Sequence, residues 1–178
     1  MTDGQAFVRE MLTASVQELL ESYGVASAVV DPDEAPASVF PELGSIVGFR
    51  GKSVRGGLAF VAPVELIAEL LPVPQRAAES DFQLRDWSAE IANQLIGRLK
   101  NKLFARAVDF DVGTPVCFTG RSLRLVFLPG TDGLALLIRA AGEHVRVYLD
   151  CAFTVVPDDA RGDVNSPRIA AEGDILLF

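Results

Sequence analysis

Apolar positions recur every three to four residues through Phe7, Val8, Met11, Leu12, Val16, Leu19, Leu20 and Tyr23, which is the spacing of one face of an α-helix. Thr2 and Gln5 stand at capping-box spacing ahead of this run, and Gly24 follows it as a natural terminator. The pattern predicts a long amphipathic helix. Val25–Val30 reads as a short strand, followed by a Pro/Asp-rich loop through Pro41. Ile46–Phe49 and Leu58–Val61 flank the glycine-rich stretch Gly51–Gly57, a hairpin pattern. Pro63 stands where a helix can start, and Val64–Leu71 fits a short helix stopped by Pro72 and Pro74.

Ser80 with Gln83 three residues on opens a second long helix that runs to about Phe104. At roughly 100° per residue, Trp87, Ile91, Leu95, Leu99 and Leu103 fall on one apolar stripe, with Ala92 and Ile96 beside it. After it come Val108–Val112, Val116–Thr119, Leu123–Leu128, Leu134–Ala140 and Val145–Val156, runs that favour strand, punctuated by Gly120, the Pro129–Gly133 turn and Gly142. They read as an antiparallel meander. Helices and strands do not alternate regularly, so the expected class is α+β, with two long helices packed on an antiparallel sheet. Residues 1–156 read as one domain; residues 157–178 read as a C-terminal tail or an extra edge strand, polar until Ile175–Phe178.

The 178 residues suit a single domain with its own core, and 49% hydrophobic with 22% charged residues is ordinary for a soluble protein. Net charge is −8, and only Lys52, Lys100 and Lys102 among the 16 basic residues are lysines. No basic stripe exists to neutralise phosphates, so nucleic acid and anionic membrane are poor partners. The apolar stretch Gly57–Pro74 is broken by Glu65, Glu69 and prolines, which argues against a membrane span. Cys117 and Cys151 lie isolated in apolar runs and read as reduced thiols, and no secretory-leader pattern precedes the first helix. The expected location is the cytoplasm.

Several motifs invite a chemical reading. Gly51-Lys52-Ser53 resembles the end of a phosphate-binding loop, but that pattern needs a glycine where Ile46 stands, and a hairpin explains the segment. Asp109-Phe110-Asp111-Val112-Gly113-Thr114 resembles the aspartyl-nucleophile motif of haloacid-dehalogenase phosphatases with one residue inserted before the glycine. Those enzymes need a parallel sheet and normally a downstream lysine, and no lysine follows Lys102, so a strand with two exposed acids is preferred. One histidine, His144, and two separated cysteines give no metal-ligand spacing, so no metal site is expected. His144 reads as a surface turn residue. No nucleophile-elbow pattern surrounds any serine.

The second long helix is more informative. Asp86, Glu90, Asn93 and Gly97 share a narrow sector roughly opposite the apolar stripe, pointing toward solvent. Gly97 costs about 1 kcal/mol against alanine in a helix interior, and no nearby helix end excuses it. Such a glycine leaves a flat spot where another protein's backbone can approach. Asp86, Glu90 and Asn93, followed after 21 residues by Pro115, satisfy D-x-x-x-E-x-x-N with a distant proline. This pattern resembles the signature of the CheC/CheX/FliY chemotaxis phosphatases, the CheX-like branch most closely. The similarity extends to the first helix, the hairpin segments Val47–Gly51 and Gly56–Leu58, the helix after Pro63, Gly97 with Lys100, and Pro115 entering a strand that ends at Gly120. CheC-like and FliY-like members carry a second E-x-x-N on the first helix; here Glu18 and Glu21 have that spacing without an asparagine, which suggests one site.

The resemblance implies a hydrolase that dephosphorylates the aspartyl phosphate of a CheY-type response-regulator receiver domain. It assigns Asn93 to positioning the attacking water and Glu90 to pairing with the receiver's lysine, with Asp86, Gly97 and Pro115 supporting the site or touching the partner. It implies no cofactor of the protein's own, Mg²⁺ being supplied by the bound receiver, and it suggests a homodimer joined through sheet edges. Two other readings stay open: a non-catalytic receiver-binding or switch-complex adaptor of the same fold, and a small-molecule phosphatase using Asp109 and Asp111. An intact Glu90 and Asn93 favour the receiver phosphatase, since an adaptor does not need that pair.

Overall fold

The structure, a computed structural model, describes residues 3–31, 41–72, 80–123, 125–127 and 132–153. The expected Thr2 cap, the loop up to Pro41, Pro74, the turn at Pro129 and the 157–178 tail lie outside these residues. Two long helices, α1 (Asp3–Ser22) and α3 (Asp81–Phe104), and the short α2 (Val64–Leu70) pack on one sheet. Its strands are β1 (Ser27–Val30), β2 (Pro41–Gly51), β3 (Val54–Pro63), β4 (Phe110–Val112), β5 (Val116–Arg121), β6 (Asp132–Ala140) and β7 (Glu143–Phe153). The order is β1-β6-β7-β3-β2-β4, with β5 also on β2, and every pairing is antiparallel. The α+β expectation holds.

Helix ends follow their sequence marks. Gly24 takes φ +76°, while its N–H reaches the Glu21 carbonyl at 2.8 Å and the Val25 N–H reaches Leu20 at 3.0 Å, the double closure of a Schellman motif. The same closure ends α3 through Ala107, which holds φ 59° without being glycine. Ser80 caps α3 by accepting from the Gln83 N–H at 3.3 Å. Val8, Leu12, Val16 and Leu19 of α1 and Ile91, Leu95, Leu99 and Leu103 of α3 are buried in one core with Leu43, Val47, Leu58 and Phe60 of the central hairpin. The two long helices run antiparallel, tied by Glu18–Lys102 at 2.6 Å and by Arg98 donating to the Ser22 hydroxyl at 3.2 Å.

The meander is corrected. Among the described residues of the downstream half, only β6 and β7 form a consecutive hairpin; β7 joins β3, and β4 and β5 cross to the far side of β2. The β2–β3 hairpin takes the middle of the sheet because β3 is buried from Leu58 to Pro63 without alternation, as a strand covered on both faces must be. Its turn is Lys52-Ser53, so Gly51-Lys52-Ser53 is a hairpin tip. A β-carbon on Gly51 would come within 2.0 Å of the Asp109 carbonyl, so glycine there lets β4 approach.

The strand expected over Leu123–Leu128 is absent from its described residues, 123 and 125–127. Their groups are used otherwise. The Leu123 N–H donates to the Glu42 carboxylate at 2.6 Å, Leu123 fills the space over Gly120, and the Phe127 ring covers Gly133. Glu42 is 2% exposed and pairs with Arg146 of β7. His144 stands at the start of β7 opposite Arg139, one step beyond the turn expected for it. Among the described residues no helix is long and apolar enough to cross a membrane.

Candidate functional site

Two hydrogen bonds, joined through Ser45, hold α3 in register over the sheet. The Ser88 and Ser45 hydroxyls, both fully buried, share a hydrogen bond of 2.8 Å between α3 and β2. Cys117 of β5 lies 3.2 Å from the Ser45 hydroxyl and donates to the Arg85 carbonyl of α3 at 3.2 Å. Alongside, β4 and β5 lie end to end on β2, and the break between them is Gly113-Thr114-Pro115. The Gly113 N–H still reaches the Gly48 carbonyl at 2.8 Å. Pro115 has no N–H to continue the ladder, so the chain steps out of the sheet toward α3.

The space between that step and α3 is a cleft of about 710 Å³ whose lining includes Asp86, Glu90, Asn93, Thr114 and Pro115. Four of the five residues singled out in the sequence therefore meet on one concave surface. Asp86 and Glu90 are exposed, whereas Asn93 sits half-buried at the cleft wall instead of pointing straight to solvent. Gly97 lies one turn further on and outside the lining; among the described residues a β-carbon there would meet nothing within 4 Å, so no described neighbour requires glycine. Trp87, placed by periodicity on the buried stripe, is only partly buried, lines the cleft and tilts its ring against Tyr23 at 5.7 Å.

The two chemical groups differ in how they are held. Among the described residues the Asn93 carboxamide makes no hydrogen bond and Glu90 makes no salt bridge. One Glu90 oxygen accepts from Gln94 Nε2 at 2.9 Å, and Gln94 Oε1 accepts from the Tyr23 hydroxyl at 2.6 Å. The site thus offers a carboxylate held in place by a neutral donor beside a carboxamide with its hydrogen-bonding capacity open. No group of three or more His, Cys, Asp or Glu residues among those described could hold a metal ion.

The rival motif separates into structural pieces. Asp109 accepts from the Phe110 N–H at 2.8 Å and pairs with Lys100 at 3.3 Å, while Asp111 is exposed on β4 opposite Arg50. The antiparallel sheet lacks the parallel frame that the motif requires.

A family profile described as chemotaxis phosphatase CheX matches residues 43–137. The chain belongs to the CheX family. The matched span begins in β2 and ends in β6, so it contains α3, the β4–β5 break and all five singled-out residues. Among solved structures, the chemotaxis protein CheX from Vibrio vulnificus is similar with TM-score 0.71 and 17% identity, covering 85% of this chain and 100% of that one. The CheX of a CheX-CheY-BeF3-Mg complex from Borrelia burgdorferi is similar with TM-score 0.55 and 15% identity over 80% of this chain and 96% of that one. Thermotoga maritima FliY gives TM-score 0.53 and 14% identity over 84% and 90%. No curated protein matches the chain.

The sequence pattern passed over other residues that line this cleft in the CheX-family chain. Phe82, 76% exposed, is one helical turn before Asp86 on the same face, a signal that the spacing contained. Arg85, Thr114 and Cys117 also line the cleft, and no local pattern marks them. Tyr23 and Gln94 meet across 71 positions, a contact that only the packing of α1 on α3 creates.

Proposed function

We propose that this CheX-family protein hydrolyses the aspartyl phosphate of a CheY-type receiver domain that docks over the α3 cleft. The observation that carries this reading is the open Asn93 carboxamide standing beside the tethered Glu90 carboxylate in a cleft bounded by Pro115. Membership in a family described as chemotaxis phosphatase supports it, as does the similar Borrelia protein in complex with CheY.

The chemistry asks little of the helper protein. An acyl phosphate breaks its P–O bond with departure of a carboxylate, a weak base that leaves without a proton, as water's oxygen bonds to phosphorus. The remaining requirement is to hold that water in line. The Asn93 amide oxygen accepts from the water and its NH₂ donates to a neighbouring oxygen, and neither adds negative charge beside the phosphoryl group. Glu90 pairs with the receiver's lysine and fixes the docking register, which needs an ionised carboxylate and no proton transfer. Asp86, Pro115 and Gly97 shape the surface that the receiver meets. Mg²⁺ belongs to the receiver's side of this interface.

The test is turnover. The protein at substoichiometric concentration, mixed with phosphorylated receivers from the same organism, is expected to release many equivalents of inorganic phosphate from one of them. Stoichiometric binding without phosphate loss contradicts hydrolysis and identifies an adaptor instead. Mg²⁺-dependent hydrolysis of a generic aryl phosphate by the protein alone contradicts the receiver-directed mechanism.

A further inference from the structure

We infer that Tyr23 and Gln94 are positioning residues that hold Glu90 ready for the receiver's lysine; this rests on the proposed receiver phosphatase reading. The relay runs from the end of α1 into the cleft. The Glu90 carboxylate only accepts, so the Gln94 NH₂ faces it, and the Gln94 amide oxygen is left to accept from the Tyr23 hydroxyl, which anchors the amide. Gln94 Nε2 then binds one carboxylate oxygen at 2.9 Å, an i, i+4 contact along α3, and the other oxygen makes no bond to a described residue.

A glutamate on an exposed helix face ordinarily samples many rotamers and loses that freedom when it is captured by a partner. Here the loss is largely incurred on folding, because Tyr23 is fixed by the Schellman closure at Gly24 and by its ring against Trp87. The neutrality of the donor matters as much as the tether. Lysine or arginine at position 94 would form an ion pair that the receiver's lysine would have to displace, whereas an amide orients the carboxylate and leaves its charge available. The segment that closes α1 thus contributes to the site through Tyr23, although it carries none of the signature residues.

The experiment uses Tyr23→Phe, which removes one oxygen and keeps the ring, and Gln94→Met, which keeps the length and removes both hydrogen bonds. Phosphate release is followed against receiver concentration, with thermal unfolding to verify folding; if Gln94→Met does not fold, Tyr23→Phe carries the test. Each variant is expected to raise KM roughly three- to tenfold, the cost of ordering one side chain, with kcat within about twofold. In a Glu90→Ala background neither substitution raises KM further, since a positioning residue has nothing left to position. Unchanged KM in both variants beside a weakened Glu90→Ala overturns this inference alone. So does an increase that persists in full without Glu90, which marks a structural role. If the protein binds without hydrolysing, the same comparisons are made in the dissociation constant. If no receiver responds to Glu90→Ala or Asn93→Ala, the functional reading fails and the relay with it.

Discussion

Gly97→Ala separates folding from docking at one position. In the interior of α3, alanine is favoured over glycine by about 0.8–1.0 kcal/mol, because glycine loses more backbone freedom on folding. The added β-carbon meets no atom of the described residues within 4 Å, so none of them offsets that gain. For a domain of this size the gain corresponds to a rise in Tm of about 2–4 °C. If the receiver packs against this bare stretch of helix, the same methyl group intrudes on a close contact at a cost of about 1–3 kcal/mol. That converts to a KM roughly five- to 150-fold higher. Calorimetry and receiver titration on the one variant read both effects. A fall in Tm would show that glycine is needed inside the protein, and a rise in Tm with unaltered KM would refute a docking role.

Other substitutions probe the parts that set the site in place. Glu42→Ala leaves Arg146 and the Leu123 N–H without their shared partner and is expected to cost about 3 kcal/mol in urea unfolding, the low end for a buried pair because Arg146 keeps contact with water; an unshifted midpoint would contradict this. Ala107→Gly relieves the left-handed conformation that ends α3 and should stabilise by about 1 kcal/mol, whereas a loss of stability would count against strain there. Glu90→Ala removes an exposed side chain, so stability should move by less than about 0.5 kcal/mol while the half-saturating receiver concentration rises. An unaltered concentration dependence would remove Glu90 from the interface.

The helices were legible because their information is local: period, cap and terminator all sit within the segments that Ser80 and Gly24 delimit. The Asp86–Glu90–Asn93 face was legible for the same reason, being a matter of spacing along one helix. Strand order was not. Whether Val116–Arg121 pairs with β6 or with β2 depends on partners 75 or so positions away in the chain, and turn residues carry no record of them. The run beginning at Leu123 looked like a strand because apolar residues are common to strands and to segments laid across a sheet. What distinguishes it is the long-range claim that Glu42 makes on its backbone. The Tyr23–Gln94 contact is invisible for a similar reason, whereas the exposed Phe82 could have been found by extending the Asp86 face back one turn.

In the proposed mechanism the Asn93 carboxamide aims water at the receiver's phosphoryl group. It is probed by single-turnover phosphate release from a phosphorylated receiver, with the unsubstituted protein or Asn93→Ala in saturating excess. Loss of one preorganised hydrogen bond in a catalytic site costs about 2.7–4 kcal/mol, so the Asn93→Ala rate is expected to be roughly a hundred- to thousandfold lower with receiver binding retained. An Asn93→Ala protein that binds the receiver and releases phosphate at the unsubstituted rate would contradict it.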